Sequence, residues 1–205
     1  MVSKTTEKRP KAKPSWSDVK SKLAQFDRAG LLQLASDLYA LNKDNQAFLH
    51  ARFGLGANPL DDYKKRIETA LAPDVHRRRV AEVSVTAAKK ALSEYTKAVG
   101  DPLGVLELRV FWCETAVAFC ADFGYENEAY FDALVRQYRD ACQALFTLDE
   151  PLLTGIVERL ETARDDAENG LGYGVGDDMN ALLGEAVKKL SNSNSKADTP
   201  VQGKD

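Results

Sequence analysis

Histidine and cysteine, two residue types that often perform catalysis or bind metals, are few in this 205-residue sequence. Histidine is the commonest general base and metal ligand, and the chain has two, His50 and His76. Neither lies in an HExxH-like motif, and Cys113 and Cys120 bring only two soft ligands to one helix face. We therefore predict no catalytic residue, no metal site and no cofactor.

Glu114 is a candidate acid because it lies in the apolar segment Phe111–Ala116, where burial would raise the pKa of a carboxyl group. Glu107 precedes it by seven residues, however, and Asp122 follows it by eight. This spacing aligns the three acidic side chains along one side of a helix. We interpret them as a narrow stripe that faces solvent.

The glycine-rich segment 170–176 precedes a helix and superficially resembles a phosphate-binding loop. Phosphate-binding loops of this kind follow a strand, whereas a predicted helix precedes this one. Asp177 and Asp178 also occupy the position at which a helix N-terminus would attract an anion. We expect a flexible hinge instead, followed by a last helix with Asp177 as its N-cap. Such a hinge could swing that helix onto a partner.

Charge is unevenly distributed along the chain, although the net charge is only −3. Residues 1–14 and 64–79 each carry a net charge of +4, and residues 149–178 carry −7. The basic residues of 64–79 form a candidate contact patch that could bind phosphates, or be a solvated face that pairs with the acidic segment. No DNA- or RNA-binding motif accompanies this patch. Its residues are Lys64, Lys65, Arg66, Arg77, Arg78 and Arg79.

Composition and cysteine content predict a soluble cytoplasmic protein. The chain is 44% hydrophobic and 29% charged, which is typical of globular domains. Its three cysteines cannot all pair within one chain and lie among apolar residues, which favours a reducing compartment. The most apolar stretch, Val110–Ala121, is shorter than the roughly 20 residues that cross a bilayer, so we predict no membrane partner.

Hydrophobic periodicity predicts an all-α protein with about nine helices. The ends of the chain, 1–14 and 191–205, are poor in large apolar residues, and we expect both to be disordered tails. Between them we predict a single helical domain, 15–190, with a short-helix part at 15–73 and a long-helix part at 78–190. Short connections favour an antiparallel helical bundle or a short stack of helical hairpins.

Two of these helices have informative patterns. In the second, Leu31, Leu34, Leu38 and Leu41 repeat at i, i+3, i+7 and i+10 along one face. The segment Leu103–Phe123 is apolar over most of its circumference, which predicts the central and most buried helix. The helix before it is predicted to run from about Arg78 to Val99, ending at the break Gly100–Pro102.

Part of the chain resembles a known family. Residues 31–53 form a leucine-rich helix followed by the pattern LY.LN..N..FL..RF, and residues 60–67 follow with L..YK..I. Together they are similar to the opening of an uncharacterised family of small bacterial all-helical proteins, over about residues 17–75. The resemblance implies a bacterial helical protein without an assigned activity, so it supplies no catalytic residues.

Three functions stay open at this point. The first is a non-enzymatic helical module that binds protein partners, which include further copies of itself. The second is an accessory protein that contacts nucleic acid through the basic patch and the N-terminal tail. The third is an enzyme with an unrecognised site, which would need a pocket joining Glu114 with Arg109, His50 or Tyr95.

Overall fold

The computed structural model of the chain describes residues 13–55, 58–74, 82–149 and 152–197. Within these ranges it contains nine α-helices and no strand, which confirms the all-α prediction. The helices are α1 (Trp16–Leu23), α2 (Arg28–Leu41), α3 (Lys43–Arg52), α4 (Pro59–Leu71), α5 (Val85–Ala98), α6 (Pro102–Phe123), α7 (Glu128–Ala144), α8 (Leu152–Gly170) and α9 (Val175–Ala197).

The chain divides into two compact units at Gln46 and Ala47, within α3. The predicted change from short to long helices near residues 73–78 does not mark a division between units. The reason is that α4 packs along α5 and α6 and buries Tyr63, Ile67 and Leu71 among them. This helix therefore belongs with the long helices.

Unit 1, which ends at Gln46, has helices with well-formed N-termini. Asp18 accepts hydrogen bonds from the backbone N–H (2.7 Å) and the hydroxyl (2.8 Å) of Ser15, just before α1. The Asp27 carboxylate accepts from the Gly30 N–H at 2.7 Å and so caps α2. These bonds satisfy backbone donors that a helix leaves free at its start, and they explain where α1 and α2 begin.

Unit 2, which begins at Ala47, is built around α6. This helix packs against α4, α5, α7 and α8, and α9 packs across α7 and α8. Because α6 is apolar on most sides, it can be buried on most sides, and ten of its residues are buried. Trp112 and Leu108 are almost completely removed from solvent. The prediction that this helix is central is confirmed.

Two helices have ends that differ from the predicted ones. Helix α5 begins at Val85 and not near Arg78, because the Ser84 hydroxyl accepts from the Ala87 N–H at 3.2 Å and caps it there. Residues 82–84 are not helical, and residues 75–81 lie outside the described ranges. Helix α9 continues past Leu190, the predicted end of the domain, to Ala197.

The glycine-rich segment 170–176 forms a packed corner rather than the predicted hinge. Helix α9 begins at Val175, so Asp177 lies in its first turn and is not the N-cap. Gly176 lies so close to α8 that a Cβ atom there would be 2.6 Å from the Cα of Glu168. Val175 and Met179 of α9 are buried. This packing argues against a helix that swings freely.

Two buried tyrosines connect helices of unit 2 by hydrogen bonds. The Tyr130 hydroxyl on α7 donates to the carbonyl of Leu71 at 3.1 Å, and the Tyr138 hydroxyl donates to the carbonyl of Leu160 at 2.9 Å. Leu71 ends α4, so its carbonyl has no acceptor role within its own helix. Burial raises the pKa of both phenols above the ordinary value, which keeps them protonated as donors.

The Tyr130→Phe substitution should lower the free energy of unfolding by about 1 kcal/mol, because the Leu71 carbonyl then loses its buried donor. Urea denaturation of the two proteins measures this difference. The matched control is Tyr173→Phe, whose ring is exposed and whose hydroxyl bonds to no described residue, so it should change stability by less than about 0.5 kcal/mol. Equal effects of the two substitutions would contradict the role of this hydrogen bond.

Candidate functional site

Helix α2 has the composition of a buried helix but lies at the surface. Nine of its 14 residues are apolar, and its only charged residues are Arg28 and Asp37. Helix α6, which is similarly apolar, buries ten residues, whereas α2 buries none. Apolar surface of this extent is normally covered by the core of a protein or by a partner. The exposed surface of α2 is therefore the strongest candidate for a functional site.

The leucines predicted to share one face of α2 form what we call the α2 seam: Leu31, Leu34, Leu38 and Leu41. Leu38 is 48% exposed and Leu41 is 70% exposed. On another side of the helix the Gln33 amide donates to the Asp37 carboxylate at 2.9 Å. The helix thus has a polar side that satisfies itself and an apolar seam in which Leu34 is partly buried and the other three leucines are exposed.

Further apolar side chains of unit 1 extend this surface. Trp16, at the start of α1, is 69% exposed, and Val19 and Phe26 are also exposed. The described residues of unit 1, 13–46, carry five basic and four acidic side chains. The surface is therefore apolar and close to neutral, and does not have the strongly basic character of membrane-surface helices.

The predicted basic contact patch is largely neutralised where the structure describes it. Lys64 contacts Glu107 at 2.6 Å, and Arg66 contacts Glu94 at 2.6 Å. Lys65 is exposed. The other three residues of the patch, Arg77, Arg78 and Arg79, lie outside the described ranges, as does His76.

The predicted acidic stripe on α6 is wrong for two of its three residues. Glu107 and Glu114 are only partly exposed and both bind Arg159 on α8; Asp122 is exposed. The Arg159 guanidinium donates to Glu114 through two nitrogens, at 2.7 and 2.8 Å, and to Glu107 at 2.5 Å. We call Arg159, Glu107, Glu114 and Lys64 the Arg159 clamp, because together they join α4, α6 and α8.

The protonation states of the Arg159 clamp follow from its geometry. Burial acts to raise the pKa of Glu107, but hydrogen bonds and attraction from Arg159 and Lys64 outweigh it and hold this pKa below its ordinary value. The hydrogen bonds to Glu114 and Glu107 raise the pKa of Arg159 above its ordinary value, against the effect of burial. Glu107 and Arg159 are therefore both ionised at neutral pH, and Glu114 is a structural partner of Arg159.

An enzyme site was predicted to need Glu114 close to Arg109 or Tyr95. In the structure these side chains contact different neighbours. Glu114 faces Arg159, whereas Arg109 donates from one nitrogen to Gln137 at 2.6 Å and to Asp140 at 2.5 Å on α7. Tyr95 is buried on α5, with its ring 5.3 Å from that of Tyr63. The structure does not bring Glu114 together with Arg109 or Tyr95.

The three cysteines are buried and free. Burial raises the pKa of Cys120 to about 11 and that of Cys142 to about 12, and it also raises the pKa of Cys113. Since the thiolate is the reactive and metal-binding form, these residues act as small apolar side chains. Among the described residues, no three histidine, cysteine or acidic side chains are grouped closely enough to hold a metal ion.

Unit 2 also has an open cleft of about 810 Å³ beside the α8–α9 corner. Tyr173, 80% exposed, lies over it with a left-handed backbone (φ 61°) and its ring 5.8 Å from that of Phe131. Four acidic side chains and two arginines line the cleft, so both signs of charge are present, with an acidic excess. The cleft is therefore a weaker candidate site than the α2 seam.

Comparison with protein-family models, with curated proteins and with solved structures finds no match. The resemblance of residues 17–75 to a bacterial family therefore stays a prediction. None of the helices in the described ranges combines the length and the hydropathy that a bilayer crossing requires.

Proposed function

We propose that this chain is a non-enzymatic helical protein-interaction module whose binding surface lies on α1 and α2. One observation carries the proposal: α2 is apolar on most sides, yet none of its residues is buried. Keeping such a helix in water is unfavourable, since full burial of a large apolar side chain is worth about 1.5–3 kcal/mol and these side chains forgo part of it. A protein partner that covers the α2 seam would recover part of this free energy.

The chemistry of unit 2 supports the same proposal. Several of its half-buried charges form ion pairs between helices, as in the Arg159 clamp, and the pKa values of its thiols are raised. The ion pairs hold the helices together. This structural role is consistent with a protein that presents a binding surface and performs no catalysis. Three free, buried cysteines also favour work in a reducing compartment, and we propose a cytoplasmic location.

The nucleic-acid alternative is less favoured. A phosphate-binding surface needs cations that are free to exchange their counterions for phosphates. Lys64 and Arg66 instead form ion pairs with Glu107 and Glu94 in the free protein. Binding phosphate would require these two pairs to break.

Affinity capture with three baits tests the proposed function: the intact chain, Leu38→Lys and Ser36→Lys. Both substitutions add the same charge to α2, but Leu38 is on the α2 seam and Ser36 is off it. Copies of this chain are added to the mixture as one possible partner. We expect the intact chain and Ser36→Lys to retain the same specific protein. We expect Leu38→Lys to lose it. The reason is that a lysine in the covered seam would be buried without a partner.

Two outcomes would contradict this proposal. One is a set of retained proteins that is identical for the three baits, because binding would then use another surface. The other is an intact chain that retains no specific protein and stays monomeric in solution.

A further inference from the structure

The α2 seam has the features of a surface that pairs with itself. We infer that its partner is a second copy of this chain, bound α2 against α2. The inference rests on the proposed function and deepens it by naming the partner. Two properties of α2 support a second copy over an unrelated protein, the spacing of its leucines and its charge, and exposed apolar side chains of unit 1 extend the surface.

The spacing of the leucines is that of a coiled-coil interface. Leu31 and Leu38 lie seven residues apart, and so do Leu34 and Leu41, which places leucine at every a and d position of two successive heptads. At these positions each side chain inserts between four side chains of the facing helix. An identical helix presents the matching set of spaces, so the seam is complementary to itself.

The charges of α2 also allow two copies to approach. Arg28 and Asp37 are its only charged residues, they have opposite signs, and neither lies on the seam. Arg28 and Asp37 lie beside the seam at an e and a g position, and in a parallel pair an e position faces a g position of the other copy, so two identical helices meet without like charges facing each other. A different partner is usually selected by complementary charges beside the seam, and α2 offers few of them.

Other exposed apolar side chains of unit 1 extend the apolar surface beyond the seam. A standard protein–protein interface covers about 800 Å² on each partner. Two heptads alone are short, but unit 1 exposes eight large apolar side chains and three of them are aromatic, a type that buries about 150–250 Å² each. These side chains are Trp16, Val19, Phe26, Leu31, Leu32, Leu38, Tyr39 and Leu41.

Light scattering and sedimentation of the full chain, over about a thousandfold range of concentration, test the inference. We expect a mass of twice 22.6 kDa for the intact chain and for Ser36→Lys at high concentration. The Leu38→Lys substitution should weaken the pairing by at least about 100-fold, because both copies then lose a buried leucine and the two lysines repel each other. Lysine is a good helix former, so α2 should stay helical in this variant.

The outcomes separate this inference from the proposed function. Far-UV circular dichroism and thermal unfolding check that each variant is folded. An intact chain that stays monomeric at every concentration overturns the inference, and so does a Leu38→Lys dimer as stable as the dimer of the intact chain. If the intact chain is monomeric but a different protein is captured and lost with Leu38→Lys, the proposed function stands and only the second copy is rejected.

Discussion

The Gly176→Ala substitution is expected to lower the free energy of unfolding by about 2–3 kcal/mol, although alanine is the better helix former. The added Cβ atom would lie 2.6 Å from the Cα, 2.9 Å from the backbone N and 3.0 Å from the Cβ of Glu168. Backbone atoms cannot rotate away as a flexible side chain can. Helix α9 would have to move off α8, which would loosen the buried residues Val175 and Met179.

The same helix supplies the matched control. Gly184 lies in α9 and is exposed, and a Cβ atom there would meet nothing within 4 Å. The Gly184→Ala substitution should therefore raise the free energy of unfolding by about 0.5–1 kcal/mol, the ordinary helix-propensity gain. Urea denaturation of both variants should show effects of opposite sign. Two stabilising effects would contradict the close packing of α8 and α9.

The spacing of apolar residues was sufficient to predict the helices, because apolar residues recur every three or four positions along the face of a helix that packs. The central position of α6 followed from its apolar circumference alone. The shared face of Leu31, Leu34, Leu38 and Leu41 was predictable for the same reason. Whether the chain covers that face is a question of tertiary packing, which periodicity does not contain. The exposure of the α2 seam therefore came only from the structure.

The packed corner at Gly176 shows a second limit. A glycine suits a flexible turn and a close contact between helices equally well. The glycines of 170–176 therefore do not distinguish the predicted hinge from a packed corner. The distinction depends on Glu168, whose backbone lies against Gly176. The sequence around Gly176 does not show that the Glu168 backbone lies against it, because this contact depends on how α8 and α9 pack side by side.

The Arg159 clamp was partly visible in the sequence. Glu107 and Glu114 are seven residues apart, which indicates one side of α6, and that side was interpreted as facing solvent. The cation that covers it lies on α8, 45 residues after Glu114. Arg159 is one of only two basic residues in the acidic segment 149–178, and that isolation was a usable signal.

The Arg159→Met substitution should lower the free energy of unfolding by about 2 kcal/mol at neutral pH. It leaves Glu114 without its bidentate partner and removes the attraction that holds two carboxylates near each other. The Arg159 side chain is 33% exposed, so the expected value lies between those for exposed and for buried ion pairs. Exposed pairs contribute about 0.2–1 kcal/mol, and removing one partner of a buried pair costs roughly 3–5 kcal/mol. The matched control is Arg136→Met, an exposed arginine without a described ion pair, which should change stability by less than about 0.5 kcal/mol.

The cost of Arg159→Met should also depend on pH in a defined direction. The pKa of Glu107 is lowered in the folded protein, so its stabilising contribution is complete above its ordinary pKa of 4.5 and is lost as the pH falls through the lowered value. In the variant Lys64 alone holds this pKa down, and protonation of Glu107 in acid removes its repulsion of Glu114. The difference between intact chain and variant should therefore shrink as the pH falls below about 4.5. Urea denaturation at a series of pH values measures it, and a difference that stays constant or grows in acid would show that Arg159 stabilises the fold by packing rather than by charge.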